Sequence, residues 1–250
     1  MNLNLEDKVV VITGGSRGIG KGLVEAFARY RCKVYFTYLS SSKSAEDLAR
    51  SLNEQGFFVR PFKVDGISLE EVKTFINDII SDEKRIDILI NNAGYIPRGL
   101  FLGTAEETFK HTIDSNLLGV YNYCQSVLKN MILNKQGVIL NITTVSSYQP
   151  SKGQAAYSAS KAAIESLTKV LALEYGKYNI RVNSIAPGLI ETEIVKSISD
   201  KVKSDILLKT PLDRFGSVED VSDSALFLAS EKAAYITGVQ LLVTGGKHLC

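Results

Sequence analysis

The sequence predicts an α/β fold: one doubly wound domain spanning residues 1–250, with a parallel sheet of about seven strands and helices on both faces. Two observations predict it. Short β-branched and apolar runs alternate with helical stretches along the chain, which implies βαβ units and a sheet covered on both sides. A glycine-rich loop also joins the first strand to the first helix, where such folds take up phosphates.

Each element follows from its local pattern. Val9 to Thr13 is a continuous β-branched run, and Gly18 to Arg31 follows with helical spacing. Lys33 to Tyr38 is the second strand and Ala45 to Gln55 the second helix. Phe57 to Val64 and Asp87 to Asn91 are strands, with a helix over Leu69 to Ser81 between them. A long helical stretch through Val120 to Leu133 leads to the strand Val138 to Thr143. Ala155 to Tyr178 is a single long helix, Ile180 to Ile185 a strand, Val218 to Leu228 a helix and Gln240 to Val243 the last strand. No linker, repeat or low-complexity segment divides the chain.

Composition removes several classes of function. Hydrophobic residues make up 45% and charged residues 22%, as in a packed soluble domain. Lys plus Arg number 29 against 27 Asp plus Glu, a net charge of +2, which argues against non-specific nucleic-acid binding. No apolar run approaches the roughly 18 residues of a membrane span. The N-terminus has neither a charged nor an apolar leader region, so a cytoplasmic location is expected. Cys32, Cys124 and Cys250 lie far apart and read as reduced thiols. Only His111 and His248 are available for a zinc site or a Ser-His-Asp triad, and neither sits in a matching motif, so no metal is expected.

The loop Thr13-Gly14-Gly15-Ser16-Arg17-Gly18-Ile19-Gly20 is placed to receive a dinucleotide pyrophosphate. Glycines let the backbone turn and approach the phosphates, and the helix N-terminus offers N–H groups and positive potential. An acid about 20 residues further on would hold the ribose 2′-hydroxyl of NAD. Here the second strand ends in Thr37-Tyr38-Leu39-Ser40, with no carboxylate until Glu46. That admits the 2′-phosphate of NADP, with Arg17 as its charge partner and Ser40 and the Leu39 amide as donors. Further on, Tyr157 and Lys161 share one helix face. A nearby ammonium lowers the pKa of a phenol, which would let tyrosine exchange a proton with a carbonyl oxygen near neutral pH.

Thr13-Gly14-x-x-x-Gly18-x-Gly20, Asn91-Asn92-Ala93-Gly94, Asn116, Tyr157-x-x-x-Lys161 and Pro187-Gly188 follow one another along the chain. In these motifs the chain resembles, from end to end, the short-chain dehydrogenases/reductases, a Rossmann-type superfamily. More narrowly it resembles 3-oxoacyl-[acyl-carrier-protein] reductase, through Arg181 to Gly188, Pro211 to Gly216 and the stretch from Ala229-Ser230 to Tyr235-Ile-Thr-Gly238. The resemblance implies that Tyr157 protonates the substrate carbonyl as hydride arrives from NADPH. It implies that Lys161 holds the nicotinamide ribose and depresses the Tyr157 pKa, and that Asn116 bends its helix and anchors a relay to Lys161. Asn92, Ala93 and Gly94 would support the cofactor, Asp65 and Gly66 would meet the adenine, and Pro187, Gly188, Ile190 and Thr192 would line the nicotinamide carboxamide.

The chain also departs from the pattern it resembles. Thr144 stands where the family has serine; it keeps a hydroxyl but adds a methyl that stiffens χ1. Thr144 is the expected orienting hydroxyl and Ser146 the fallback. Thr244 stands where aspartate commonly precedes two glycines. Two arginines linked in relatives to carrier-protein docking fall on Lys135 and Tyr178, leaving Lys129, Lys135 and Lys177 as a basic rim for an acidic partner. The expected activity is reduction of a carrier-bound 3-oxoacyl thioester, in fatty-acid or in polyketide and polyene synthesis. The expected partner is an acyl carrier protein and the expected assembly a homotetramer. Glu191 to Lys209 would be a mobile substrate segment, covering an apolar chain with Ile194, Val195, Ile198, Ile206, Leu207 and Leu208. The alternatives are a dehydrogenase for a sugar, steroid or other secondary alcohol, and a non-catalytic dinucleotide-binding subunit.

Overall fold

A computed structural model describes residues 3–196 and 200–250. Seven strands form one all-parallel sheet: β1 (Val9–Ile12), β2 (Lys33–Tyr38), β3 (Phe58–Lys63), β4 (Ile88–Asn91), β5 (Gly137–Ile142), β6 (Ile180–Pro187) and β7 (Gln240–Val243). Their order is β3-β2-β1-β4-β5-β6-β7. β1 is flanked by β2 on one side and β4 on the other, with Val10 opposite both Val34 and Ile88. Strand order reverses there, which makes the carboxyl ends of β1 and β4 the switch point at which doubly wound sheets bind ligands.

The helices cover both faces. On one side pack α1 (Gly18–Arg29), α2 (Ser42–Glu54) and α9 (Val218–Ala229); on the other α3 (Leu69–Glu83), α5 (Gly119–Asn134) and α6 (Ala155–Tyr175). Successive strand residues point to opposite faces, so most positions must be apolar. Val10 and Ile12 join the first core with Leu23 and Phe27, while Val9 and Val11 join the second with Ile76 and Val127. The edges are treated differently. Pro61 lies in β3, an edge strand, where its missing N–H costs no ladder bond to a further strand. β7 is short, with every residue only half buried.

Several boundaries move from their sequence expectation. α2 begins at Ser42 rather than Ala45. α6 stops at Tyr175, because a 3₁₀ turn over Gly176–Tyr178 ends on Asn179 in the left-handed region, φ 58°. β6 runs on to Pro187, which still aligns with Val243. Ahead of α5, α4 (Glu106–Ile113) and a π turn (Asp114–Leu118) form a bent continuation of the same rod. Two short helices, α7 (Glu193–Lys196) and α8 (Asp200–Leu207), fill the segment before Pro211. Among the described residues no helix is long and apolar enough to cross a membrane.

A sheet buried on both faces makes a specific demand on its inner strands. Ile139 and Leu140 of β5 point to opposite cores and are fully buried. Ile139→Ala and Leu140→Ala should each lower unfolding stability by about 2–5 kcal/mol in urea titration. A near-neutral result for either would mean that one face of the sheet is not covered.

Candidate active site

The crevice is stitched together before any ligand is considered. The Thr13 hydroxyl accepts from the Asn92 and Ala93 amides, both at 2.9 Å. The Asn92 side chain donates back to the carbonyls of Thr13 at 3.0 Å and Gly14 at 3.1 Å. Glycine is required by this closeness: a Cβ on Gly20 would lie 2.1 Å from the Gly14 oxygen and 2.6 Å from Asn92 Nδ2. Gly14 and Gly18 hold φ values of +66° and +53°. The N-terminus of α1 has no side-chain cap and no acid in its first turn, and Arg17 stands exposed beside it. Ser16 is buried beneath the loop and Ile19 half buried.

Leu39 and Ser40, at the end of β2, are exposed. Asp65 caps its own turn, its carboxylate accepting from the Ile67 amide at 3.0 Å. The Gly66 carbonyl accepts from Asn122 at 2.9 Å. These groups fit a dinucleotide: open helix amides stand ready for a pyrophosphate, with an exposed arginine beside them.

At the carboxyl end of β5 the chemistry-bearing side chains meet. Tyr157 is 8% exposed and Lys161 3%. The Lys161 ammonium donates to the Ile142 carbonyl at 2.8 Å and lies 6.0 Å from the centre of the Tyr157 ring. Burial brings the lysine down to about 8, against the pull of the Glu165 carboxylate one helical turn away. Burial also raises the Tyr157 phenol, and a hydrogen bond with the Thr144 side chain opposes that rise. The net direction for the phenol is therefore upward, set by burial. The ammonium is turned toward the Ile142 carbonyl.

The structure also separates the two hydroxyl candidates. Thr144 meets the phenol, and its oxygen accepts from the Ser146 amide at 3.2 Å as the cap of a 3₁₀ turn. The Ser146 hydroxyl turns away to Gln154, at 3.1 Å.

Asn116 lies in the π turn between α4 and α5, fully buried. Its side chain pairs with both backbone groups of Tyr95, at 2.7 and 3.1 Å, and donates to the Ser160 hydroxyl at 2.9 Å. Ser160 in turn donates to the Tyr157 carbonyl at 2.8 Å. Asn116 therefore ties the segment after β4 to α6 and reaches Lys161 only across a gap. A Cβ on Gly94 would fall into that gap, 3.3 Å from Asn116 Oδ1 and 3.6 Å from Lys161 Nζ. Sequence reading missed Tyr95 and Ser160. The hydroxyl directly before Lys161 was the available signal for Ser160; Tyr95 acts through its backbone and left none.

Comparison with known proteins decides the family. Residues 14–248 match a family model described as enoyl-(acyl carrier protein) reductase. A Chlamydia muridarum protein named 3-oxoacyl-[acyl-carrier-protein] reductase FabG is 37% identical over 249 residues, covering 98% of this chain and 99% of that one. Its namesake in Staphylococcus epidermidis is 35% identical over 243 residues, covering 97% and 100%. The chain belongs to the short-chain dehydrogenase/reductase family. Among solved structures, gox2181 superposes with a TM-score of 0.95 at 30% identity, covering 100% of this chain and 98% of that one. A short-chain type dehydrogenase/reductase from Mycobacterium ulcerans gives 0.94 at 28%, covering 98% and 90%. The chain is an oxidoreductase of this family and resembles its 3-oxoacyl-[acyl-carrier-protein] reductases.

Gly188 follows Pro187 and donates to the Val243 carbonyl at 2.9 Å, and its missing Cβ leaves 3.1 Å to Thr244. Thr192 lies over Gly18, 3.6 Å from where a Cβ would sit. Ile190, expected beside the carboxamide, buries its side chain in the core through the bridge to Gly216, so only its backbone can face the crevice.

In the segment after Glu191, Val195 is buried, Ile206 and Leu207 are half buried, and Leu208 is exposed. Ile198 lies outside the described residues, and so does the side chain of Ile194. Lys129, Lys135 and Lys177 are exposed, but they flank the amino ends of β5 and β6. That is the edge opposite Tyr157, so they do not rim this chain's own site.

The division of labour between Thr144 and Ser146 is directly testable. Thr144→Val keeps the shape and removes the hydroxyl, and should lower kcat for ketone reduction by roughly 10²–10³, the scale for one oxyanion donor. Ser146→Ala should keep most of the activity. The reverse pattern in steady-state kinetics would transfer the role to Ser146.

Proposed function

We propose that this protein is an NADPH-dependent ketoreductase that reduces carrier-bound 3-oxoacyl thioesters to 3-hydroxyacyl thioesters. The observation that carries the reading is the buried Tyr157 phenol at the carboxyl end of β5, with the Thr144 side chain beside it and the Lys161 ammonium 6.0 Å from its ring centre. Full-length similarity to proteins named as 3-oxoacyl reductases supports the substrate class.

Bound NADPH would supply the hydride. The chain's residues do the rest. Thr144 donates a hydrogen bond to the ketone oxygen and fixes its position against Tyr157. The phenol passes its proton to that oxygen as negative charge develops there, which a neutral acid does at ordinary pH. The phenolate left behind is stabilised by the Lys161 ammonium and the Thr144 hydroxyl. Lys161 also holds the nicotinamide ribose. Asn116, with Ser160, keeps α6 in register with the segment after β4. Arg17, Ser40 and the Leu39 amide receive the 2′-phosphate, Asp65 and Gly66 the adenine, and Asn92, Ala93 and Gly94 the cofactor's central part.

We assign the substrate to fatty-acid or specialised polyketide synthesis, the location to the cytoplasm and the assembly to a homotetramer. An acyl carrier protein docked on Lys129, Lys135 and Lys177 would serve a neighbouring subunit's site, because those lysines face away from Tyr157.

Kinetic measurements check the reading. Acetoacetyl thioester should oxidise NADPH far faster than sugars, steroids or a crotonyl thioester do; faster use of the crotonyl thioester would make the protein an enoyl reductase. Tyr157→Phe should cut that turnover by on the order of 10² or more while NADPH binding survives. NADPH should also exceed NADH in kcat/KM, and Arg17→Ala should erode the preference. Equal values for both cofactors in the unmodified protein would contradict the assignment of the 2′-phosphate site.

A further inference from the structure

The Glu165 carboxylate is not used in the chemistry above, yet it sits at the centre of a connected set of hydrogen bonds. It lies one turn beyond Lys161 on α6, which places both side chains on one face. Its Oε2 accepts from the Ser184 hydroxyl of β6 at 2.5 Å, and its Oε1 accepts from the Gln240 amide of β7 at 2.7 Å. The same Gln240 nitrogen donates to the Ser147 hydroxyl at 3.2 Å, and Ser147 donates to the Thr144 carbonyl at 2.7 Å. An unbroken path therefore runs from a carboxylate beside Lys161, through an edge strand, to the backbone of the residue that meets the Tyr157 phenol. We propose that Glu165 is a positioning residue of the reductase site, holding the Thr144 turn through Gln240 and Ser147 and keeping Lys161 charged. This rests on the ketoreductase reading and adds to it a residue that touches neither substrate nor cofactor.

The electrostatic part follows from what surrounds the ammonium. Lys161 faces the Ile142 carbonyl of β5, Gly94 of the segment after β4, and Tyr157 and Glu165 of its own helix. Of these only Tyr157 and Glu165 titrate, and the phenol is neutral. Glu165 is then the one carboxylate among the described residues that opposes the desolvation of Lys161. The sign is fixed. Burial favours the neutral amine and brings the lysine to about 8; removing the carboxylate lowers it further. A lysine that loses its proton closer to neutrality can no longer stabilise the phenolate, so the alkaline limb of the rate profile must move to lower pH.

Two variants separate charge from scaffold. Glu165→Gln removes the charge at nearly constant shape, and Ser147→Ala cuts the path to Thr144 while leaving the charge. The Cε resonance of Lys161 is followed through pH titration in the protein without coenzyme, using labelled lysine and Lys161→Arg for assignment. The pH profile of kcat/KM for acetoacetyl thioester with NADPH is measured beside it. In Glu165→Gln the resonance should titrate about one pH unit lower, and the alkaline limb should move with it. In Ser147→Ala the titration should stay in place while kcat falls several-fold at every pH. An unmoved Lys161 titration in Glu165→Gln would overturn the proposal whatever the substrate, and unchanged kcat in Ser147→Ala would overturn its scaffold half. Failure of the unmodified protein to reduce acetoacetyl thioester, with the titration shift intact, would overturn the ketoreductase reading alone.

Discussion

The site depends on keeping a lysine cation charged in a place where only 3% of the residue is exposed. Desolvation works against an ammonium there, and the protein answers with two fixed acceptors: the Ile142 carbonyl in direct contact and the Glu165 carboxylate one turn away. The Ile142 carbonyl is available because it ends β5, the strand held by β4 and β6 on either side. Gly94 has no side chain to fill the space between Lys161 and Asn116. The sheet, the glycine and the helix face thus set the position of one charge, and Tyr157 and Thr144 are arranged around it.

The surrounding polar groups are neutral and mostly paired with one another. Asn91 donates to Asn141 at 2.8 Å, and Asn141 donates to Thr168 at 2.9 Å, joining β4, β5 and α6 through the core beneath the site. Asn116 joins Tyr95 to Ser160 in the same manner. Amide and hydroxyl side chains fix geometry without adding charge, so the field at Lys161 is left to Glu165. The π turn carries Asn116 at the bend between α4 and α5, where a regular helix would have presented a different face.

Much of this was legible in the sequence because the signals were local. Strands buried on both faces are apolar at most positions, so β1, β4 and β5 declared themselves. The glycine loop declared itself by spacing, and Tyr157 and Lys161 by their four-residue separation. What was not legible depended on tertiary approach. Ile190 looks like a pocket residue in sequence, yet it packs into the core because Gly216 leaves room for it. α4 lies ahead of the expected Val120 to Leu133 helix, and with only Thr112 buried it carries no apolar period to read. The path from Glu165 to Thr144 joins residues up to 93 positions apart, which no local pattern encodes. Spacing places a cation near Tyr157, but the burial that raises the phenol is a tertiary property.

The central claim is that Tyr157 begins the reaction as a neutral phenol and that Lys161 is the group that titrates near 8. Phenolate absorbance, taken as the difference between the unmodified protein and Tyr157→Phe across an alkaline titration without coenzyme, tests this most directly. The account predicts no Tyr157 phenolate at the pH where Lys161 loses its proton, and ionisation only above the range of an ordinary tyrosine. A Tyr157 phenolate formed near neutral pH would contradict it.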